Sequence, residues 1–182
     1  SFPEMVGHAQ SILSVSVAEG FGLGFLEPWT FGKGLCGRNL PDITSDFAEL
    51  GVSLANLYDR LPIPLDCISS VTQLRETIQS ALEQFYLNYQ QDLPQDGTET
   101  AFQSIVANDS IDFGRLDEPT QQEIIRAVAQ SPELQQGIQK HAGLEVLAED
   151  IIDRNREAVA EQFSLTSYAE RTRKIYQELL AT

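Results

Sequence analysis

The stretch SILSVSVAEGFGLGFLE, residues 11–27, decides how this chain is read. Ser11 to Val17 alternates polar and apolar side chains and is rich in β-branched residues, the pattern of a strand. Gly20, Gly22 and Gly24 follow, set between Glu19 and Glu27. Leu23 to Phe31 then reads as a short buried helix, with Leu23, Leu26 and Phe31 as its apolar contacts. A tight turn is one use for such glycines. An anion site is another, because the first N–H groups of a helix lack intrahelical partners and the dipole there favours negative charge. Glycine also lets a backbone approach a ligand closely. On that reading the amides of Phe21, Gly22 and Leu23 face a diphosphate. Each such contact contributes only about 0.3–1 kcal/mol at an exposed site. Specificity must then come from Glu19, at the strand's end where ligand sites of open parallel sheets cluster, and from Glu27. Carboxylates accept hydrogen bonds from hydroxyls, so a ligand with a diphosphate and many hydroxyls suits the pair.

The same pattern continues outward. Residues 34–38, GLCGR, suggest another short strand. Pro41-Asp42 opens a helix, with Asp42 as N-cap and Gly51 ending it. Val52 to Leu57 reads as a third short strand. Strand, glycine turn, helix, strand, helix, strand is the order of an α/β parallel-sheet unit. Composition changes near residue 65: residues 1–65 hold eight of the 12 glycines and five of the eight prolines. Residues 66–182 carry 20 acids against nine bases and are helical by period. Val71, Leu74, Ile78, Leu82, Phe85 and Tyr89 recur on one face behind Ser70 as a cap. A short helix is expected over 99–107. Asp117 caps another, with Pro119 in its first turn and Ile124, Ile125 and Val128 facing inward. Ser131-Pro132 starts a further helix. Leu144 to Phe163 reads as one long helix of about five turns. Ser164 caps the last helix, carrying Tyr168, Ile175, Tyr176 and Leu179. The expected architecture is therefore α/β: a partial Rossmann-like parallel sheet of about three short strands over residues 1–65, then a mainly α-helical extension over 66–182.

Charge and cysteine usage narrow the function classes. The formal net charge is -15, and Lys and Arg are scattered apart from Arg171, Arg173 and Lys174. Such a chain repels phosphate backbones and anionic lipid, so no nucleic-acid partner is expected. No run is apolar and long enough to span a bilayer. Cys36 and Cys67 are too few for a disulfide framework and fit no zinc spacing. They read as reduced, half-buried thiols of a cytoplasmic protein, with no metal and no resident cofactor. No secretory signal is visible, since Glu4 and His8 interrupt the N-terminal stretch. His8 and His141 read as surface or packed residues. Asp112-Phe113-Gly114 reads as a turn leading to the Asp117 cap, and Trp29, Tyr86 and Tyr89 as packing residues. GFGLGF fails the dinucleotide fingerprint, because Phe25 stands at the third glycine position.

With its flanks, SVAEGFGLGFLE resembles the E-x7-E element of retaining GT-B glycosyltransferases, the glycogen-synthase-like and sucrose-synthase-like group. The likeness is specific over residues 8–48, from GHAQSILSVSVAEGFGLGFLEPWTFGKGLCGRNLPDI onward, and loose over 144–180. It implies that Glu19 contacts the donor sugar hydroxyls as the catalytic-site carboxylate. It implies that Gly20, Phe21, Gly22 and Leu23 lie against the sugar and diphosphate, and that Glu27 holds the ribose hydroxyls of a nucleotide sugar. Transfer of a hexosyl group with retention to an acceptor would follow. Two departures stand out. Gly34 occupies the family's usual proline position, and RNLPDITSDF lacks the usual paired glycines.

The family's basic pair, which stabilises the leaving diphosphate, lies well before the glutamate motif. None of the residues before Glu19 here is Lys or Arg. The resemblance thus implies the last portion of a transferase, inactive by itself and dependent on an upstream half. The alternative is a non-catalytic helical interaction or assembly module with a relic donor motif. In either case an incomplete parallel sheet should expose an edge, and a homodimer or strand exchange is expected to cover it.

Overall fold

The alternation that marks residues 11–17 as a strand is used for four residues. In a computed structural model, which describes residues 2–180, strand β1 runs Ser11–Ser14. It follows helix α1 (Phe2–His8) and pairs in parallel with β2 (Gly34–Gly37), in the register Ser11↔Gly34 to Ser14↔Gly37. Between them lie a 3-10 turn, Leu23–Phe25, and the short helix α2, Glu27–Thr30. Helix α3 (Pro41–Glu49) comes next. The fold is mixed α/β, mostly helical, with this parallel pair and a separate antiparallel sheet of three strands. The chain forms two compact units: the described residues up to Asp59 with those from Ala142 onward, and Arg60–His141.

In the first unit the apolar side chains with the deepest burial are Phe25, Trp29 and Leu35, joined by Phe47, Val52, Leu54 and Val159. Trp29 donates its indole N–H to the Phe25 carbonyl at 2.8 Å, so its one polar atom is paired. Of the expected helix contacts only Leu26 is buried. Leu23 and Phe31 are exposed, because the 3-10 turn rotates Phe25 and Trp29 inward in their place. Gly37 lies where its strand meets Ser14 so closely that a Cβ would stand 2.0 Å from the Ser14 carbonyl oxygen, and its φ is +118°. Only glycine meets both conditions.

The third expected strand does not form. Residues 52–57 turn instead, and a single bridge, Arg38 to Tyr58, stands where a ladder was expected. Side-chain amides take the place of a neighbouring strand. Asn155 accepts from the Ser53 N–H and donates to the Ser53 carbonyl, both at 2.8 Å, and Asn56 donates to the Leu35 carbonyl. Asn155 lies on helix α8 (Glu149–Gln162), in sequence the second-last of the chain's helices. The long helix expected from Leu144 begins only at Glu149. Gly143, at φ +57°, ends the preceding helix, and Leu147 lies against Gly34 before the new one starts. The last helix, α9 (Leu165–Leu180), follows Ser164, whose hydroxyl accepts from the Ser167 N–H. It buries none of its residues: Tyr168, Ile175, Tyr176 and Leu179 are exposed.

The second unit is less purely helical than its periodicity suggests. Strand β3 (Pro62–Pro64) and β4 (Val106–Ala107) flank a central β5 (Ser110–Asp112), antiparallel throughout. Asn108 and Asp109, at φ +51° and +55°, make the tight turn between β4 and β5, a conformation asparagine and aspartate tolerate better than most residues. Helices α4 (Val71–Asn88), α5 (Gly97–Ile105), α6 (Glu118–Ala129) and α7 (Pro132–Ala142) complete the unit. Ser70 caps α4 through the Gln73 N–H and Asp117 caps α6 through the Thr120 N–H. Ile63, Ile111, Ile124, Leu74, Ile78 and Phe102 form the core. Four inward assignments need correction: Val71 at the start of α4, Phe85 near its end and Tyr89 just past it are exposed, and Ile125 is exposed beside buried Ile124. The helical stripe outruns the small core it faces.

Asn155→Ala tests the linkage within the first unit. The N–H and carbonyl of Ser53, an exposed residue, would each lose a hydrogen bond, at about 0.5–1.5 kcal/mol apiece. Trp29, the single tryptophan, reports from the same core, so its fluorescence transition should shift to lower denaturant. An unchanged midpoint would refute the assigned role.

Candidate functional site

The loop between β1 and α2 is shaped from below by α3. Gly22 has φ +68°, and a Cβ there would stand 2.3 Å from Ile43 Cγ2 and 2.9 Å from the Phe47 ring. Its identity is therefore dictated by both torsion and packing. Gly20 differs: a Cβ there would meet nothing within 4 Å. Phe21 and Leu23 project into solvent. The Gly22 carbonyl accepts from the Phe25 N–H at 2.9 Å and the Leu23 carbonyl from Leu26 at 2.9 Å, closing the 3-10 turn. Residues 20–24 thus run over the surface with a packed glycine at their centre.

Glu19 is half-buried and held in place. Ser16 donates its hydroxyl to Glu19 Oε1 at 2.9 Å. The carboxylate lies over Gly24, whose Cβ, if present, would stand 3.3 Å from Oε1 and 3.8 Å from Oε2. Glycine at 24 is what lets the carboxylate lie so close to the backbone. Glu27 does not lie within a single helix running from Leu23 to Phe31, as expected. The intervening 3-10 turn makes it the first residue of α2, where its charge suits the dipole. Its carbonyl accepts from the Thr30 hydroxyl at 2.7 Å, and its side chain is exposed.

Gly24 and Glu27 share the wall of a hollow of about 280 Å³, which Val6, Ile12, Pro28 and Phe31 line with apolar surface. That is close to the smallest volume usual for a small-molecule site. The arrangement joins the two glutamates through one glycine: Glu19 lies over Gly24, and Glu27 stands on the hollow that Gly24 borders. The sequence reading missed Ser16, which stands three residues before Glu19, and the contribution of α1 and Ile12 to the hollow. The i to i+3 spacing of Ser16 and Glu19 is the one signal that was available.

Other groups are tied elsewhere. Lys33 donates to the Gly7 carbonyl at 2.9 Å and His8 hydrogen-bonds the Glu4 carbonyl at 2.7 Å. Among the described residues no group of three or more His, Cys, Asp or Glu is placed to hold a metal ion. No helix among them is long and apolar enough to cross a membrane. Burial pushes the Cys36 thiol up from its ordinary value. Burial, then the charge of Asp66 and the hydrogen bond to it, does the same for Cys67. Neither sulfur is poised as a nucleophile, which requires the thiolate.

No protein-family model, no curated protein and no solved structure matches this chain.

The thiol assignment has a direct test. In the native chain both cysteines should resist alkylation at about pH 8 and react at normal rates only once the chain is unfolded. Rapid modification of either in the native state would show an accessible thiolate and overturn the assignment.

Proposed function

We propose that this chain is the donor-binding C-terminal part of a retaining GT-B glycosyltransferase. In this reading β1, the glycine loop, α2 and β2 belong to a Rossmann-like sheet of which this chain contains a portion. The nucleotide end of a nucleoside-diphosphate sugar enters the hollow beside α1, with Glu27 accepting from the ribose hydroxyls. The diphosphate lies against the amides of residues 20–23, and Glu19 accepts from the hydroxyls of the transferred hexose. The observation that carries the reading is the shared use of Gly24: Ser16 holds the Glu19 carboxylate above it, while Glu27 stands on the hollow it borders.

The loop segment, residues 11–27, contains no Lys or Arg, and Lys33 donates to the Gly7 carbonyl. Stabilisation of the departing diphosphate falls to the upstream half of the transferase, which also binds the acceptor. By itself the chain binds donor without transferring sugar. A cytoplasmic setting fits a nucleotide-sugar enzyme with two buried, reduced thiols.

One observation favours a different reading. Helix α9 exposes Leu165, Tyr168, Ile175, Tyr176 and Leu179 and buries no residue, which suits a helical assembly module with a relic donor motif.

Calorimetric titration with UDP-, GDP- and ADP-sugars separates the two. The donor reading expects heat of binding with one of them, lost in Glu27→Ala. The absence of heat with all of them would leave the assembly module. Gly24→Ala sharpens the result. Gly24 does not have a positive φ, and its nearest neighbour is the end of a flexible side chain, so the fold should melt within a few degrees of the unaltered chain. The added methyl displaces the Glu19 carboxylate, and donor affinity should fall about tenfold, a loss of about 1.4 kcal/mol. Unaltered affinity in Gly24→Ala would remove Glu19 from the site.

A further inference from the structure

The hollow beside α1 has few groups with which to read a polar ligand. Of the eight residues that line it, Glu27 is the one with a charged side chain, and the Met5 thioether is only a weak acceptor. Three carbonyls of the lining residues are already used. Val6 accepts from the Ala9 N–H at 3.1 Å and Ile12 from the Cys36 thiol at 3.4 Å. Pro28 accepts from the Phe31 and Lys33 N–H groups at 3.1 and 3.0 Å, and has no N–H of its own to offer. A group that enters here must leave most of its own donors and acceptors unpaired against the wall.

That requirement ranks the bases of nucleoside-diphosphate donors. An unpaired buried polar group bears its desolvation cost, and the cost grows with the number and strength of such groups. Uracil brings an imide N–H between two carbonyls on one small ring. Guanine brings a carbonyl, a ring N–H and an amine. Adenine has no carbonyl. Its edges carry one amine and ring nitrogens, which hydrate less strongly than carbonyl oxygens. Its two fused rings also present more apolar face to Val6 and Ile12 than the single ring of uracil does. Glu27 acts in the same direction. A carboxylate only accepts hydrogen bonds, so a carbonyl oxygen set near it is opposed and an amine is not.

We propose that the donor carries adenine: the ligand of this site is an adenosine-diphosphate sugar with its base against the apolar wall of the hollow. The proposal rests on the donor-binding reading and adds the choice of base to it. The selection is modest, because an apolar wall discriminates by differences in burial rather than through hydrogen bonds that a wrong base would leave unmade.

Calorimetric titration of the unaltered chain with ADP, UDP and GDP, and with the glucose conjugate of each, tests it. ADP and its conjugate should bind about tenfold more tightly than the uridine and guanosine pairs. Equal or tighter binding of UDP or GDP would overturn the adenine assignment and leave the donor site standing. No heat with any of these ligands would remove the donor site itself, and the assignment with it. Met5→Gln gives a second readout. Met5 is 66% exposed on the wall of the hollow, so its replacement spares the core. The new amide offers a base edge both a donor and an acceptor. UDP should then gain more affinity than ADP, and the preference for adenine should narrow. A preference unchanged in folded Met5→Gln would place the base outside the hollow and overturn the proposal.

Discussion

The first unit depends on one buried amide. Asn155 is fully buried and its two hydrogen bonds reach Ser53 across 102 residues of sequence. A polar side chain is tolerated at such a position only when its hydrogen bonds are made, because the buried group otherwise bears its full desolvation cost. Here both amide atoms are used on one residue's backbone. The pair also accounts for a segment that would otherwise need a neighbouring strand. Once α8 is anchored in this way, Val159 joins the core and the Phe163 ring meets Phe47 edge-on, with centroids 5.4 Å apart.

The consequence reaches the glycine loop. Phe47 and Ile43 of α3 press on Gly22 from below, leaving no room for a side chain there. The loop is thus shaped by the core rather than by its own flexibility. Glu19 is fixed in turn by Ser16 and by the absence of a Cβ at Gly24. On the donor-binding proposal the carboxylate would be positioned before anything binds, which lowers the ordering cost of recognition. Phe21 and Leu23 remain exposed on the same loop.

Local signals were readable and distant ones were not. The strand at Ser11, the strand at Gly34, and the helices that follow Ser70, Asp117 and Ser164 all show in the sequence, because caps and periodicity act within a few residues. Helix α3 was legible too, although Leu40 rather than Asp42 precedes its first residue. The antiparallel sheet escaped notice. Its strands are two or three residues long, one bearing two prolines, and too short for alternation to register. The aromatic end of α4 was misjudged for a related reason: periodicity marks a face as apolar without saying how far the core beneath it extends.

For the candidate site, the sequence by itself determined the two glutamates and the glycines between them, since spacing along the chain is all that such a motif contains. Tertiary structure decided what each residue does. Gly22 and Gly37 are compelled by contacts with Phe47 and Ser14, whereas Gly20 is met by nothing. Glu27 opens a helix because a 3-10 turn intervenes, and residues 52–57 do not pair because Asn155 and Asn56 satisfy groups that a strand would have met. These outcomes rest on approaches between residues far apart in the chain, and a pattern of neighbours carries no measure of such distances.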